Sequence, residues 1–195
     1  MRTICVASQK GGSGKSTIAA HLSVEASKQL SVAIVDTDNP QGSLSQWWNV
    51  RKADTPVFIR EHAPELDIDL TIIDTPPRMD PILRKSIAAA DLVIIPIRPS
   101  PNDLRAVPVI VEEAENAKKP FIFVLNSATP RATIIHDAVR VLAQYGKVAP
   151  VTLHSRVDFA TAMIDGRTAQ ELKANSKSAL EVTQIWSYVQ TQLGI

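Results

Sequence analysis

"SQKGGSGKST", residues 8–17, places three of the chain's seven glycines within four positions and brackets them with Lys10 and Lys15. Residues without a Cβ let backbone N–H groups converge on an anion, and a lysine followed by hydroxyls adds a cation and a metal ligand. That combination suits a polyphosphate. Gly11, Gly12, Ser13 and Gly14 would wrap the phosphates, Lys15 would reach the β/γ oxygens, Ser16 would hold Mg²⁺, and Thr17 would complete the turn into a helix. The strict G-x-x-x-x-G-K-S/T pattern is broken, because Gln9 stands where a glycine belongs. Lys10 is also unexplained, since one nucleotide does not need a second lysine five residues ahead of the first.

A dinucleotide site competes for the same residues. Gly12-Ser13-Gly14 with Asp36 about twenty residues on imitates G-x-G-x-x-G and its ribose ligand. The third glycine would then be Thr17, whose branched side chain opposes close helix–strand approach, and Lys15 and Ser16 would have no clear role. A plain surface loop rich in Gly and Lys is the other alternative; its place between a strand and a helix argues against it.

The elements that must position these residues are legible from periodicity. Apolar runs at 2–8, 31–37, 55–61, 69–77, 91–97, 120–127 and 147–153 read as strands. Helical patterns lie between them at 16–30, 43–53, 81–90, 103–117 and 132–146, with two more helices over 156–193. Pro108 predicts a kink or a late start in its helix, and Gly146 a C-cap. Strands apolar on both faces that alternate with helices predict an α/β fold: a doubly wound, mostly parallel sheet in one domain over 1–195. Ligands of such sheets sit beyond the carboxyl ends of the strands. The loop, Asp36, Asp38, Asp74 and Asn126 all fall there.

The departures in the loop have a precedent. "KGGSGKST" resembles the deviant Walker A box of ParA/MinD-type P-loop ATPases, in which a signature lysine precedes the two glycines. "VDTDNPQGSLSQWW" (35–48) is similar to the switch region D-x-D-P-Q-G, "IIDTPP" (72–77) to the Walker B strand, and "DLVIIPIRPSPNDLRA" (91–106) to the segment after it. "VLN" (124–126) and "SRVDFATAMIDGRTAQEL" (155–172) resemble later family segments, and small plasmid-partition ATPases of the ParA type are the nearest in pattern.

The resemblance implies a slow ATPase with ATP and Mg²⁺ as cofactors, and a face-to-face homodimer in the ATP state. Lys15 would then serve its own subunit's nucleotide and Lys10 the neighbour's. Asp74 would hold Mg²⁺ through water, Asp36 would support the metal shell, and Asp38 would place the attacking water. Asp36 and Asp38 have a second reading as caps of the following helix, and Asn39 is an insertion relative to the family pattern. Asn126 would meet the adenine edge, with Pro99 and Ser100 forming the wall of the base pocket, although a strand-ending turn explains Asn126 as well.

The implied task is to segregate or position plasmid or chromosomal DNA, or another cargo, with hydrolysis stimulated by a centromere-binding or adaptor protein. Non-specific DNA contacts would come from Arg156, Arg167, Lys173 and Lys177, where interspersed acidic residues leave a solvated helical face as the alternative. With strand one read at residue 2, a helix-turn-helix and operator-binding role are not expected, and "SYVQTQLGI", without basic residues, does not predict a membrane-binding tail. A metabolic P-loop ligase and a regulatory ATP-binding module are the rival functions.

Composition agrees and decides little. A net charge of +1 is uninformative, so any nucleic-acid contact would come from a local patch or from dimerisation, and one cysteine, Cys5, excludes an internal disulfide or a cysteine-held cluster. No apolar run approaches a membrane span, so the expected location is cytoplasmic, in association with the nucleoid. Trp47 and Trp48 cannot both face inward from one helix, which predicts one in the core and one exposed near the switch.

Overall fold

The computed structural model describes residues 1–38, 42–59 and 67–195. Seven parallel strands form one sheet in the order β3-β2-β4-β1-β5-β6-β7. They are β1 (Arg2–Val6), β2 (Val32–Asp36), β3 (Val57–Phe58), β4 (Leu70–Asp74), β5 (Leu92–Ile97), β6 (Phe121–Leu125) and β7 (Lys147–Val148). β1 lies centrally, with Val6 in register with Asp74 on one side and with Ile94 on the other.

Period-two alternation divides the apolar strand residues between two cores. Ile4, Val6, Ile34, Ile72 and Ile94 face one layer with α1 (Lys15–Ala26), α2 (Ser43–Val50) and α9 (Lys177–Leu193). Cys5, Ala7, Val93, Ile95 and Phe123 face the other with α3 (Pro81–Ala89), α5 (Val107–Asn116) and α6 (Ile134–Leu142). Strands covered on both faces bury nearly every side chain, which explains the unbroken apolar runs. The expected doubly wound sheet is the observed one.

Local signals set several helix starts. Asp80 accepts from the Leu83 N–H at 2.8 Å with Pro81 at the first helical position, and Ser176 accepts from the Ala179 N–H at 3.1 Å. Pro108 does give a late start: a short α4 (Pro101–Arg105) ends, Ala106 intervenes, and α5 carries the proline in its first turn.

Other expectations need correction. The final strand is only two residues, because Pro150 and the turn after it leave just a bridge from Ala128 to His154. Gly146 is not a C-cap, since α6 closes at Ala143. Its missing side chain instead makes room for the Phe121 ring, which an added Cβ would meet at 2.7 Å. The C-terminal part holds three helices rather than two: α7 (Val157–Ile164), α8 (Ala169–Leu172) and α9, with a capping box at Thr168 and Glu171 starting α8. One of the two tryptophans, Trp47, is in the core as expected, whereas Trp48 is half-buried rather than exposed, stacking on Phe58 with centroids 6.2 Å apart and packing on the core. No helix among the described residues is long and apolar enough to cross a membrane.

Candidate functional site

The glycine loop connects β1 to α1, and its backbone takes a shape that side chains resist. Gly12 and Gly14 have φ of 71° and 95°. A Cβ on Gly14 would run into Nδ2 of Asn126, so this position requires glycine on two counts. The Asn126 amide donates to the Ser13 carbonyl at 2.7 Å and ties the end of β6 to the loop.

Helix α1 then begins with Gly14 as N-cap, with no side-chain cap and no acidic residue in its first turn. The positive end of its dipole is left open and reinforced by Lys15, an arrangement that calls for an anion. Lys15 is only 7% exposed. Burial pushes its pKa down, while Asp74 and Asp38 push it back up. Its ammonium has no ion pair within 4 Å among the described residues.

Asp74 ends β4 fully buried, and neither carboxylate oxygen finds a hydrogen-bond partner. Burial raises its pKa to about 7. The Ser16 hydroxyl pulls it down without completing a hydrogen bond, Asp36 raises it, and Lys15 lowers it. An orphaned buried carboxylate costs free energy unless a cation arrives. Ser16 and Asp74 therefore fit a divalent cation whose other ligands come from outside the protein. Among the described residues no group of three His, Cys, Asp or Glu could hold a metal alone.

The two switch carboxylates are placed differently. Asp38 lines the cavity at the loop, and its carbonyl accepts from the Gly42 N–H at 2.6 Å. Asn39, the inserted residue, lies outside the described residues. Asp36 takes its second reading, as a cap: Oδ1 accepts from the Asp38 N–H at 3.0 Å, and Oδ2 from the Ser45 N–H and hydroxyl at 2.8 and 2.9 Å. With Oδ1 engaged by Asp38 and Oδ2 by the first turn of α2, Asp36 braces the switch segment.

A cavity of about 540 Å³ opens over Gly11, Gly12, Gly14, Lys15, Ser16 and Thr17. Its far wall differs from the expectation. Pro99 and Ser100 do not line it, because the Ser100 hydroxyl caps α4 by accepting from the Asp103 N–H at 3.2 Å. The wall is instead Phe159, Ala160 and Met163 of α7, with His154 and Arg156 ahead of them. Asn126 reaches the cavity, with its amide nitrogen engaged by the loop. Lys10 is exposed outside the lining.

The four basic residues expected to meet DNA separate into two kinds. Arg156 donates to Glu181 at 2.6 Å beside His154, and Arg167 pairs with Asp165 at 2.7 Å, so both are already neutralised. Lys173 and Lys177 are exposed, have no ion pair among the described residues, and line a second cavity of about 570 Å³ with Asp158. Sequence reading missed the α7 wall, Arg98 at the rim of the first cavity, and His21. His21 is buried in α1 and accepts at Nε2 from the Ala169 N–H at 3.0 Å, so Nδ1 holds the proton and donates to the Thr17 carbonyl at 2.8 Å. Burial takes its pKa down to about 4, so it stays neutral while it ties the loop's helix to α8. Only an amphipathic pattern in "VDFATAMI" hinted at the wall, and nothing in sequence marks which of its residues face the loop.

The family model for the CobQ/CobB/MinD/ParA nucleotide binding domain matches residues 4–175, nearly the whole chain. The chain belongs to this family. It is 30% identical to "Maintenance of carboxysome distribution protein A" of Halothiobacillus neapolitanus, over 96% of this chain and 95% of that protein. It is 33% identical to a ParA protein of Rhizobium radiobacter over 59% of each chain. Among solved structures, MinD of Pyrococcus horikoshii complexed with Mg-ADP superposes with a TM-score of 0.83 at 18% identity, over 99% of this chain and 97% of that one. Apo McdA of Cyanothece gives 0.79 at 17% identity over the full length of both. The P-loop fold of the ParA/MinD type is thereby shown, and the family is one of ATPases.

Proposed function

We propose that this protein is an ATP-driven switch: an ATPase that dimerises face to face when ATP is bound, binds DNA non-specifically, and distributes a cargo. A partner protein stimulates its otherwise slow hydrolysis. One observation carries the reading: among the described residues buried Lys15 has no ion pair and buried Asp74 no hydrogen-bond partner, beside a glycine loop whose helix N-terminus has no side-chain cap. Such a site is incomplete without a nucleotide and a divalent cation.

Bound Mg²⁺ would supply charge neutralisation on the phosphates. Ser16 and, through water, Asp74 would hold it, Lys15 would neutralise the β/γ oxygens, and Asp38 would orient the attacking water. Phe159, Ala160 and Met163 offer an apolar wall for the base, in place of Pro99 and Ser100. Lys10, exposed outside its own cavity, is free to reach the phosphates of a facing subunit. Of the four basic residues expected at DNA, Lys173 and Lys177 are the two without an ion pair among the described residues and the better candidates for phosphate contacts. The full-length likeness to a relative named for carboxysome distribution makes a protein assembly as fitting a cargo as a plasmid.

Sedimentation with Mg²⁺ and either ATP or ADP, with and without duplex DNA, tests the reading. Wild type should dimerise with ATP alone and then sediment with DNA, and Lys10→Ala should remain monomeric under the same conditions. A monomeric wild type, or a Lys10→Ala variant that dimerises normally, refutes the switch. Turnover that responds to carboxylate and amine substrates, and not to DNA plus a partner protein, would favour a ligase.

A further inference from the structure

Arg98 follows β5 on the rim of the loop cavity, on an element separate from either lysine. Its guanidinium lies against the loop: a Cβ added to Gly12 would stand 3.1 Å from Nη2 and 3.6 Å from Cζ. Only the backbone N–H of Arg98 has a partner, Asp103 Oδ2 at 3.2 Å. Its side chain makes no ion pair and no hydrogen bond among the described residues. By contrast, Arg51, Arg84, Arg156 and Arg167 each meet a carboxylate within 3.0 Å.

The exposed, unpartnered guanidinium therefore stands at the rim of the cavity that holds Lys15 and the open N-terminus of α1, which Asp38 also lines. Two cations and a helix N-terminus around one cavity suit an anion. We infer that Arg98 is a phosphate ligand for its own subunit's nucleotide, a third cation that acts in cis. This rests on the nucleotide reading above and adds a residue to it. The planar fork can donate two parallel N–H bonds to one phosphate, and the absent side chain at Gly12 lets it lie flat on the loop.

Calorimetric titration of purified protein with Mg-ADP and with a non-hydrolysable ATP analogue tests this. Arg98→Gln should weaken at least one of the two nucleotides by on the order of tenfold, about 1.4 kcal/mol, and flatten the salt dependence of binding. Arg98→Lys should fall between the variant and wild type. Arg105→Gln removes an equal charge from exposed α4 outside the cavity and serves as the control. Thermal melts would confirm that all three variants fold. Arg98→Gln within about twofold of wild type for both nucleotides, or an equal loss in Arg105→Gln, overturns the inference. Failure of wild type to bind either nucleotide refutes the nucleotide reading instead.

Discussion

Replacing Asp74 by asparagine should stabilise the protein in the absence of nucleotide and metal, although the residue belongs to the site. In the folded chain burial raises the Asp74 pKa from 3.8 to about 7. Between those values the native state binds a proton that the unfolded state has lost. Stability therefore falls as pH rises through that window, and the full penalty is present above it. Each pH unit of the gap is worth about 1.4 kcal/mol, so the ionised carboxylate costs the empty protein roughly 3–5 kcal/mol at pH 8. Asparagine keeps the shape and the unsatisfied polar atoms of the protonated acid without the charge. At this chain length one kcal/mol corresponds to about 2–4 °C. Melts followed by circular dichroism should thus show Asp74→Asn and wild type together only below about pH 4, the variant a few degrees higher near pH 5, where roughly 1.7 kcal/mol of the penalty is already present, and on the order of 10 °C higher near pH 8. Mg-ATP should close the gap by stabilising wild type alone. Parallel pH profiles, or a variant that is less stable at both pH values, would show that the buried carboxylate is already compensated within the protein.

Gly14→Ala should lower the melting temperature by about 4–10 °C, from a left-handed backbone worth about 1–2 kcal/mol and a lost Asn126–Ser13 bond of similar size. In a double-mutant cycle with Asn126→Ala the two losses should be less than additive, because the smaller side chain vacates the space that the new Cβ needs. Arg51→Ala should cost about 2–3 kcal/mol by chemical denaturation, since the Arg51 side chain is 3% exposed and donates to both oxygens of Glu171 and to the Gly166 carbonyl. Glu171→Gln should cost less, because that carboxylate is nearer solvent.

What the sequence revealed and what it concealed divide by range. Loop residues whose chemistry needs neighbours in the chain, from Gly11 to Thr17, are legible because a short peptide already states the geometry. The sheet is legible because each strand announces itself through burial on both faces. Asp36 and Asp38 look equivalent in "VDTD", and only the fold reveals that Ser45, nine residues on, engages one of them. Arg156 reads as a free cation until α9 delivers Glu181 to it from twenty-five residues away. Arg98 was passed over for the opposite reason: its significance lies in having no partner while resting on Gly12, and neither fact exists before β1 and β5 are adjacent. A charge in sequence thus becomes structural or functional only when the fold supplies or withholds its counter-charge. By that criterion Lys15 and Arg98, which meet at one cavity with no ion pair among the described residues, single out the glycine loop as the place that suits an anion from outside the protein.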